Sequence, residues 1–133
     1  MVRVPGADLA VASASPEQFL RREGERIWSS PIKGTATTAD RLSPKDHAEN
    51  VMIVDLVRND LGRVCEFGSV RVPSLCRVET HPGLVHLVST VEGRLRPGVG
   101  WPELLEATFP PGSVTGAPKL AAVDHLRRLE PVP

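Results

Sequence analysis

The lysine of Pro31-Ile32-Lys33-Gly34-Thr35 is the first residue of this sequence that suggests chemistry. The proline restricts the backbone before Lys33, and the glycine after it permits conformations that other residues avoid. A lysine held there can be partly removed from water, which makes its amine a better nucleophile near neutral pH. The pentapeptide alone is also compatible with an ordinary surface lysine in a loop.

Glu17 is the candidate acid that accompanies this lysine. Strands are predicted over 18–22 and 26–29, joined by a turn at Glu23-Gly24-Glu25. Because a hairpin folds back on itself, it can bring Glu17 and Lys33 to one pocket. An exposed charge at the end of a strand is the alternative interpretation of Glu17.

A carboxylate-rich helix is predicted to follow a polar loop over 35–42. Its start is indicated by Ser43 as N-cap, Pro44 in the first turn and Asp46 three residues after the cap, and its end by Gly62. Its acidic and amide residues favour either a site for a hard cation or internal ion pairs with Arg58 and Arg63. These residues are Asp46, Glu49, Asn50, Asp55 and Asp60.

The remaining pattern predicts strands over 8–15, 69–73, 75–79 and 84–94, and helices over 102–108 and 118–129. In the strand over 84–94, Val85, Leu87 and Val91 share one face, and His86 points the other way. His86 therefore either faces a cavity or is a hydrogen-bonded core histidine.

Hydroxyl groups and a glycine precede the last of these helices, at Ser113, Thr115 and Gly116. Free N–H groups and the dipole at a helix start favour a carboxylate or phosphate, so this stretch is a candidate anion site. An ordinary capped helix is the alternative.

The composition excludes several classes of function. Lys+Arg 16 balances Asp+Glu 16, which argues against a nucleic acid or an anionic membrane as partner. No apolar run reaches the length of a membrane span, and the first ten residues lack the apolar core of a signal peptide. Two cysteines do not make a disulfide framework or a metal cluster, so we expect a cytoplasmic protein.

Several motifs occur in an order that resembles a known family. They are SPE at 15–17, PIKGT at 31–35, DHAENVMIVDLVRNDLGR at 46–63, GSV at 68–70, HLVS at 86–89 and FPPGSVTGAPK at 109–119. The chain from about Ala10 onward is similar to the chorismate-utilising enzymes, which include anthranilate, aminodeoxychorismate, isochorismate and salicylate synthases.

The resemblance implies an α+β fold, a sandwich of antiparallel sheets with outer helices like that of anthranilate synthase component I. The family domain is longer than this chain, so residues 1–133 are expected to be a partial chorismate-binding domain without its N-terminal and C-terminal parts. The fragment alone is expected to be inactive, with part of each sheet and unpaired edges.

Within the family, Lys33 and Asn50 place the chain closest to aminodeoxychorismate synthase component I, because anthranilate synthases usually carry alanine and histidine at these positions. That relationship implies amination of chorismate, with ammonia from a glutamine amidotransferase, in the synthesis of p-aminobenzoate for folate. An anthranilate-synthase-type lyase and an inactive fragment are the alternatives.

The resemblance also implies roles for individual residues. Lys33 is the expected covalent nucleophile, Glu17 the acid that protonates the leaving hydroxyl, and Glu49 a ligand of Mg²⁺. The residues expected to contact chorismate are Gly34, Thr35, His86, Ser113, Thr115 and Gly116.

Overall fold

The computed structural model describes residues 2–4, 6 and 9–130. Its strands are β1 (Val2–Val4), β2 (Leu9–Val11), β3 (Gln18–Glu23), β4 (Arg26–Ser30), β5 (Ile32–Ala36), β6 (Arg71–His81) and β7 (Leu84–Arg94). Its helices are α1 (Pro44–Gly62), α2 (Trp101–Thr108), the single turn α3 (Gly112–Thr115) and α4 (Lys119–Leu129), with a 3-10 turn at Ala39–Arg41.

Strand β7 is the centre of a five-stranded antiparallel sheet. Strand β6 pairs along one edge of β7, and β4 and β5 follow one another along the other edge. Strand β3 pairs outside β4, and the described parts of β1 and β2 form a separate ribbon. Pro31 separates β4 from β5, and its carbonyl accepts a hydrogen bond of 3.1 Å from the Ser89 N–H. This arrangement confirms the predicted α+β class and the hairpin of β3 and β4.

Helix α1 covers one face of this sheet, and the core lies between them. Val85, Leu87 and Val91 are buried, whereas His86 is only half-buried, which confirms the predicted alternation along β7. Removing this apolar surface from water is the main force that holds the helix on the sheet. The buried hydrophobic cluster consists of Ile27, Val54, Leu61, Val64, Cys65, Val91, Leu95, Leu104 and Ala107.

The start of α1 is fixed by the capping box that the sequence predicts. The Asp46 N–H donates to Ser43 Oγ at 3.2 Å, and the Ser43 N–H donates to Asp46 Oδ2 at 2.7 Å. These bonds satisfy N–H groups that have no partner inside the helix. Hydrogen bonds from the Ser43 side chain and backbone hold the pKa of Asp46 below its usual value.

The prediction of two strands over 69–73 and 75–79 is wrong, because β6 is continuous from Arg71 to His81. Its register against β7 shifts twice, and Cys76 has a φ of +51°. The Cys76 N–H donates to Ser89 Oγ at 2.8 Å, so the irregular backbone keeps a partner. Pro73 is tolerated because only one edge of β6 is paired among the described residues.

Three other boundaries differ from the predictions. The strand over 8–15 is limited to Leu9–Val11, and its first residue, Asp8, lies outside the described residues. The predicted loop over 35–42 includes the end of β5 and the 3-10 turn. Residues 112–115, predicted as a loop, form α3.

None of the described helices is both long and apolar enough to cross a bilayer.

Candidate active site

A narrow crevice lies where β3 and β4 meet α1 and α3, and it contains Glu17. Ser113 donates a hydrogen bond from Oγ to Glu17 Oε1 at 3.0 Å, across a sequence separation of 96 residues. The hydroxyl therefore fixes one oxygen of the carboxyl group. The crevice is lined by Glu17, Phe19, Leu20, Ser29, Ile53, Val57, Asp60, Leu61, Thr108, Pro111, Gly112 and Ser113.

Helix α3 reaches this crevice because of a close approach at Gly112. A Cβ atom at this position would lie 2.8 Å from Leu56 Cδ1 and 3.1 Å from Leu56 Cβ, both on α1. Gly112 is buried, so a larger residue would displace the turn that carries Ser113. The packing of Gly112 against α1 thus positions the hydroxyl that contacts Glu17.

A buried ion pair joins α4 to α1 beside the same crevice. Lys119 Nζ is paired with the Asp60 carboxylate, and it also donates to the Thr108 carbonyl at 3.2 Å. The two side chains are only 13% and 9% exposed, so the pair is shielded from solvent. The sequence pointed to Asp60 as an acidic residue of α1, but it did not single out Lys119 as its partner. The available signal was a carboxylate on the buried face of a helix, which needs a partner.

The predicted nucleophile Lys33 lies in β5 and is half-buried. Gly34, the next residue, has a φ of +79°, and a Cβ atom there would lie 2.8 Å from Asp46 Cβ. Both the backbone angle and the contact with α1 therefore require glycine after Lys33. The ion pairs between described residues do not include Lys33.

Thr35 and His86 face each other across β5 and β7. Thr35 Oγ1 and His86 Nδ1 are 2.9 Å apart, and the two residues are paired in register. They lie on the opposite face of β7 from the residues that pack on α1. The structure thus brings together two pairs of predicted site residues, Glu17 with Ser113 and Thr35 with His86, on different parts of the sheet. Lys33 is not among the residues that line the Glu17 crevice.

Glu49, the predicted metal ligand, lies on α1 and pairs with Lys45 at 3.5 Å. Its side chain is 42% exposed. In the described part of the chain, no group of three or more His, Cys, Asp or Glu side chains is arranged to hold a metal ion. Mg²⁺ takes oxygen ligands in near-ideal octahedral geometry. The described residues by themselves therefore do not form a complete Mg²⁺ site, and Glu49 offers one carboxylate to such a site.

Internal ion pairs were the alternative prediction for the acidic residues of α1. Of these pairs, Arg58 with Asp55 is present, at 2.8 Å.

The stretch predicted to bind an anion is internally hydrogen-bonded. The N–H groups of Val114 and Thr115 donate to the Pro111 carbonyl at 3.0 and 3.2 Å, and the Gly116 N–H donates to the Gly112 carbonyl at 2.8 Å. The Thr115 hydroxyl also contacts backbone oxygens. These three amides already have partners in this structure, so the predicted anion site depends on the first N–H groups of α4 and stays a prediction.

Asn50 is the centre of a buried polar network that was not predicted from the sequence. Asn50 is fully buried, donates from Nδ2 to the Leu87 carbonyl at 3.0 Å, and accepts the Ser89 hydroxyl at Oδ1. It thereby ties α1 to β7. The signal was its position one turn before Ile53 and Val54, on the apolar face of α1, where an amide must find partners.

Comparison with known proteins identifies the family. A family model described as chorismate binding enzyme matches residues 1–133. The chain belongs to this family. Chorismate-binding enzymes were the group that the motifs resemble, so that resemblance is confirmed.

Aminodeoxychorismate synthases and anthranilate synthases are both among the relatives of this chain. Aminodeoxychorismate synthase component 1 of Klebsiella aerogenes is 51% identical over 134 residues, which cover 92% of this chain and 30% of that protein. Anthranilate synthase component 1 1 of Haloarcula marismortui is 44% identical over 142 residues, covering 98% and 29%. The crystal structure of anthranilate synthase component I from Streptococcus pneumoniae TIGR4 superimposes with a TM-score of 0.74 at 37% identity, covering 88% and 28%. The chain thus spans less than a third of the length of these relatives.

Proposed function

We propose that this chain is part of an aminodeoxychorismate synthase, which replaces the C4 hydroxyl of chorismate with an amino group for p-aminobenzoate and folate synthesis. The observation that carries the proposal is Lys33 in the motif Pro31-Ile32-Lys33-Gly34-Thr35, within a chain 51% identical to an aminodeoxychorismate synthase. Glycine is required directly after this lysine, so the backbone that carries the amine is constrained. Residues 1–133 then form one part of a larger chorismate-binding domain.

In the proposed mechanism, the Lys33 amine adds to C2 of the ring as the hydroxyl at C4 departs. Glu17 gives a proton to that hydroxyl, because a poor leaving group needs an acid. Ammonia then adds at C4 and expels the lysine from C2. Support for Glu17 as the acid comes from its hydrogen bond with Ser113, which fixes the carboxyl group at the edge of the crevice.

The proposed enzyme uses Mg²⁺ and a partner protein. Glu49 would supply one carboxylate to the ion, and no group of three or more acidic, histidine or cysteine ligands occurs among the described residues. The name of the Klebsiella relative, component 1, implies a second component, which we propose is the glutamine amidotransferase that supplies ammonia.

The proposed location of the protein is the cytoplasm. Cys65 and Cys76 are both free thiols, which supports this proposal.

The rival function is that of an anthranilate synthase, and it has support from relatives 44% and 37% identical. Lys33 and Asn50 argue against it, because the resemblance to the family implies alanine and histidine at these two positions in anthranilate synthases.

The test is a graft in which residues 1–133 replace the matching segment of the Klebsiella aerogenes protein. The sequences are 51% identical, so most contacts with the rest of the domain are expected to be retained. We expect the graft to form 4-amino-4-deoxychorismate from chorismate, ammonia and Mg²⁺, as measured by liquid chromatography of the products. The 133-residue chain alone is expected to leave chorismate unchanged.

The unmodified Klebsiella protein is the control for the assay. Formation of anthranilate by the graft in place of the amino product would favour the rival function. Turnover by the isolated 133-residue chain would show that its own residues complete the site. A folded graft without either product would support the inactive alternative.

A further inference from the structure

We infer that Asp60 and Lys119 are a positioning pair, which holds the turn α3 on α1 and so keeps the Ser113 hydroxyl on Glu17. This makes Ser113 a positioning residue for the catalytic carboxyl group rather than a contact for substrate. The inference rests on the proposed function only in taking Glu17 as the acid; the anchoring itself is a property of this chain.

The segment that carries Ser113 is attached to α1 at both of its ends. At one end, Gly112 packs so closely on Leu56 that an added Cβ would lie 2.8 Å from it. At the other end, Lys119 pairs with Asp60 on α1 and donates to the Thr108 carbonyl at the end of α2. Ser113 lies between these two attachments, so its position depends on both.

The ion pair is well suited to this role because it is shielded from water. Exposed ion pairs contribute little, whereas breaking a buried pair leaves an uncompensated charge and is strongly destabilising. The pair on this segment is largely buried, in contrast to the exposed pair of Arg58 and Asp55 on the same helix. A Lys119 side chain released from Asp60 would have to move toward solvent, and α3 would move with it.

The consequence for catalysis follows from the geometry of the carboxyl group. Ser113 fixes Glu17 Oε1 at a distance of 3.0 Å. A proton donor acts efficiently only when it is held in reach of the leaving group. Loss of the positioning pair should therefore lower kcat through the orientation of Glu17 and leave substrate affinity nearly unchanged.

The first test measures the anchoring directly in the graft, in which the rest of the domain is present. Because Lys119→Met alone leaves Asp60 buried and unpaired, the variant used is the double substitution Asp60→Asn with Lys119→Met, which removes both charges. We expect the amides of Thr115 and Gly116 to exchange with deuterium about tenfold faster or more, while the amides of α1 keep their protection. Arg58→Met, which breaks the exposed pair on α1, is the matched control. It should leave unchanged both the exchange rates at Thr115 and Gly116 and the protection of the α1 amides.

The second test measures kcat and KM of the graft with ammonia as substrate. Ser113→Ala and the Asp60→Asn, Lys119→Met double variant should each lower kcat by roughly tenfold or more, but by no more than the 10²–10⁴-fold that a positioned acid contributes in total. KM should change less than about twofold. The triple variant should be no slower than the slower of the two, because both changes act through the same hydrogen bond. Lys119→Arg should keep most of the activity, since it retains the charge and the donor.

Either of two results would overturn the inference. One is unchanged exchange at Thr115 and Gly116 in the double variant, which would show that the pair does not anchor α3. The other is a triple variant whose loss of kcat is the product of the separate losses, which would show that the pair and Ser113 act independently. An inactive graft would reject the proposed function, and the exchange measurement would then decide the anchoring by itself.

Discussion

Lys33 is set between two structural constraints at the residue level. Pro31 separates β4 from β5 just before it, and Gly34 adopts a positive φ against α1 just after it. Replacing Gly34 by any larger residue would force both the backbone angle and the contact with Asp46 to change. Thr35, the residue after Gly34, contacts His86 on β7. The pairing of β5 with β7 therefore brings together two of the residues that are expected to surround the lysine.

Glu49 is the residue whose role depends most on what binds to it. In the graft, Glu49→Gln should lower the affinity for Mg²⁺ by about tenfold or more. Even substitutions of residues that hydrogen-bond to metal ligands lower metal affinity by about 10–100-fold. The swap is nearly isosteric, so α1 should keep its helicity. Calorimetric titration with Mg²⁺ in the presence of chorismate would measure the first effect and circular dichroism the second.

Asp55→Asn is the matched control, because Asp55 is another exposed carboxylate on α1 that pairs with a neighbouring cation, Arg58. It should leave Mg²⁺ affinity unchanged. If Glu49→Gln and the unsubstituted graft bound Mg²⁺ with equal affinity, Glu49 would act only as the ion-pair partner of Lys45.

At the level of elements, α1 connects the parts of the candidate site. Its first turn lies beside Gly34, its middle is bonded to β7 through Asn50, and its last turns hold Gly112 and Lys119 through Leu56 and Asp60. A shift at the start of this helix should therefore be transmitted to both groups of site residues. The capping box at Ser43 fixes that start.

Ser43→Ala should destabilise the chain by about 1 kcal/mol at neutral pH, the usual cost of losing an N-cap hydroxyl. Hydrogen bonds from Ser43 hold the pKa of Asp46 below its ordinary value of 3.8. A carboxyl group with a lowered pKa stabilises the fold above that ordinary value and loses this contribution as the pH falls through the folded-state pKa. The difference between the two proteins should therefore shrink below about pH 4.

Urea unfolding at several pH values would measure this difference. Thr38→Ala is a suitable control, because Thr38 precedes the 3-10 turn without a side-chain capping bond. A difference between wild type and Ser43→Ala that stays constant down to pH 3 would contradict the assigned role of Asp46.

The sequence predicted the elements with strong local signals and missed the contacts between distant residues. The capping box of α1, the β3–β4 hairpin and the bounds of β7 follow from neighbouring residues, and they are confirmed. The continuity of β6 was missed because Pro73-Ser74 reads as a break, whereas pairing with β7 overrides it. Asp60 and Lys119 are 59 residues apart, so only the folded chain, in which their side chains meet, reveals their pairing.

At the level of the whole molecule, the candidate site is distributed over the sheet rather than gathered in one pocket of the described residues. Glu17 and Ser113 lie in the crevice beside α1, and Thr35 and His86 lie on the other face of β7. The chain spans less than a third of the length of its relatives. This division is consistent with our proposal that these residues supply one part of a larger site.

The most direct test of the proposed function is the mass of the graft after brief exposure to chorismate without ammonia. A lysine adduct formed with loss of the C4 hydroxyl should increase the mass by that of chorismate less one water, and peptide mapping should locate it on Lys33. Lys45→Ala, which removes an exposed lysine of α1, should still form the adduct, and Lys33→Ala should form none. An adduct that persists in Lys33→Ala, or an active graft that never forms one, would contradict the account.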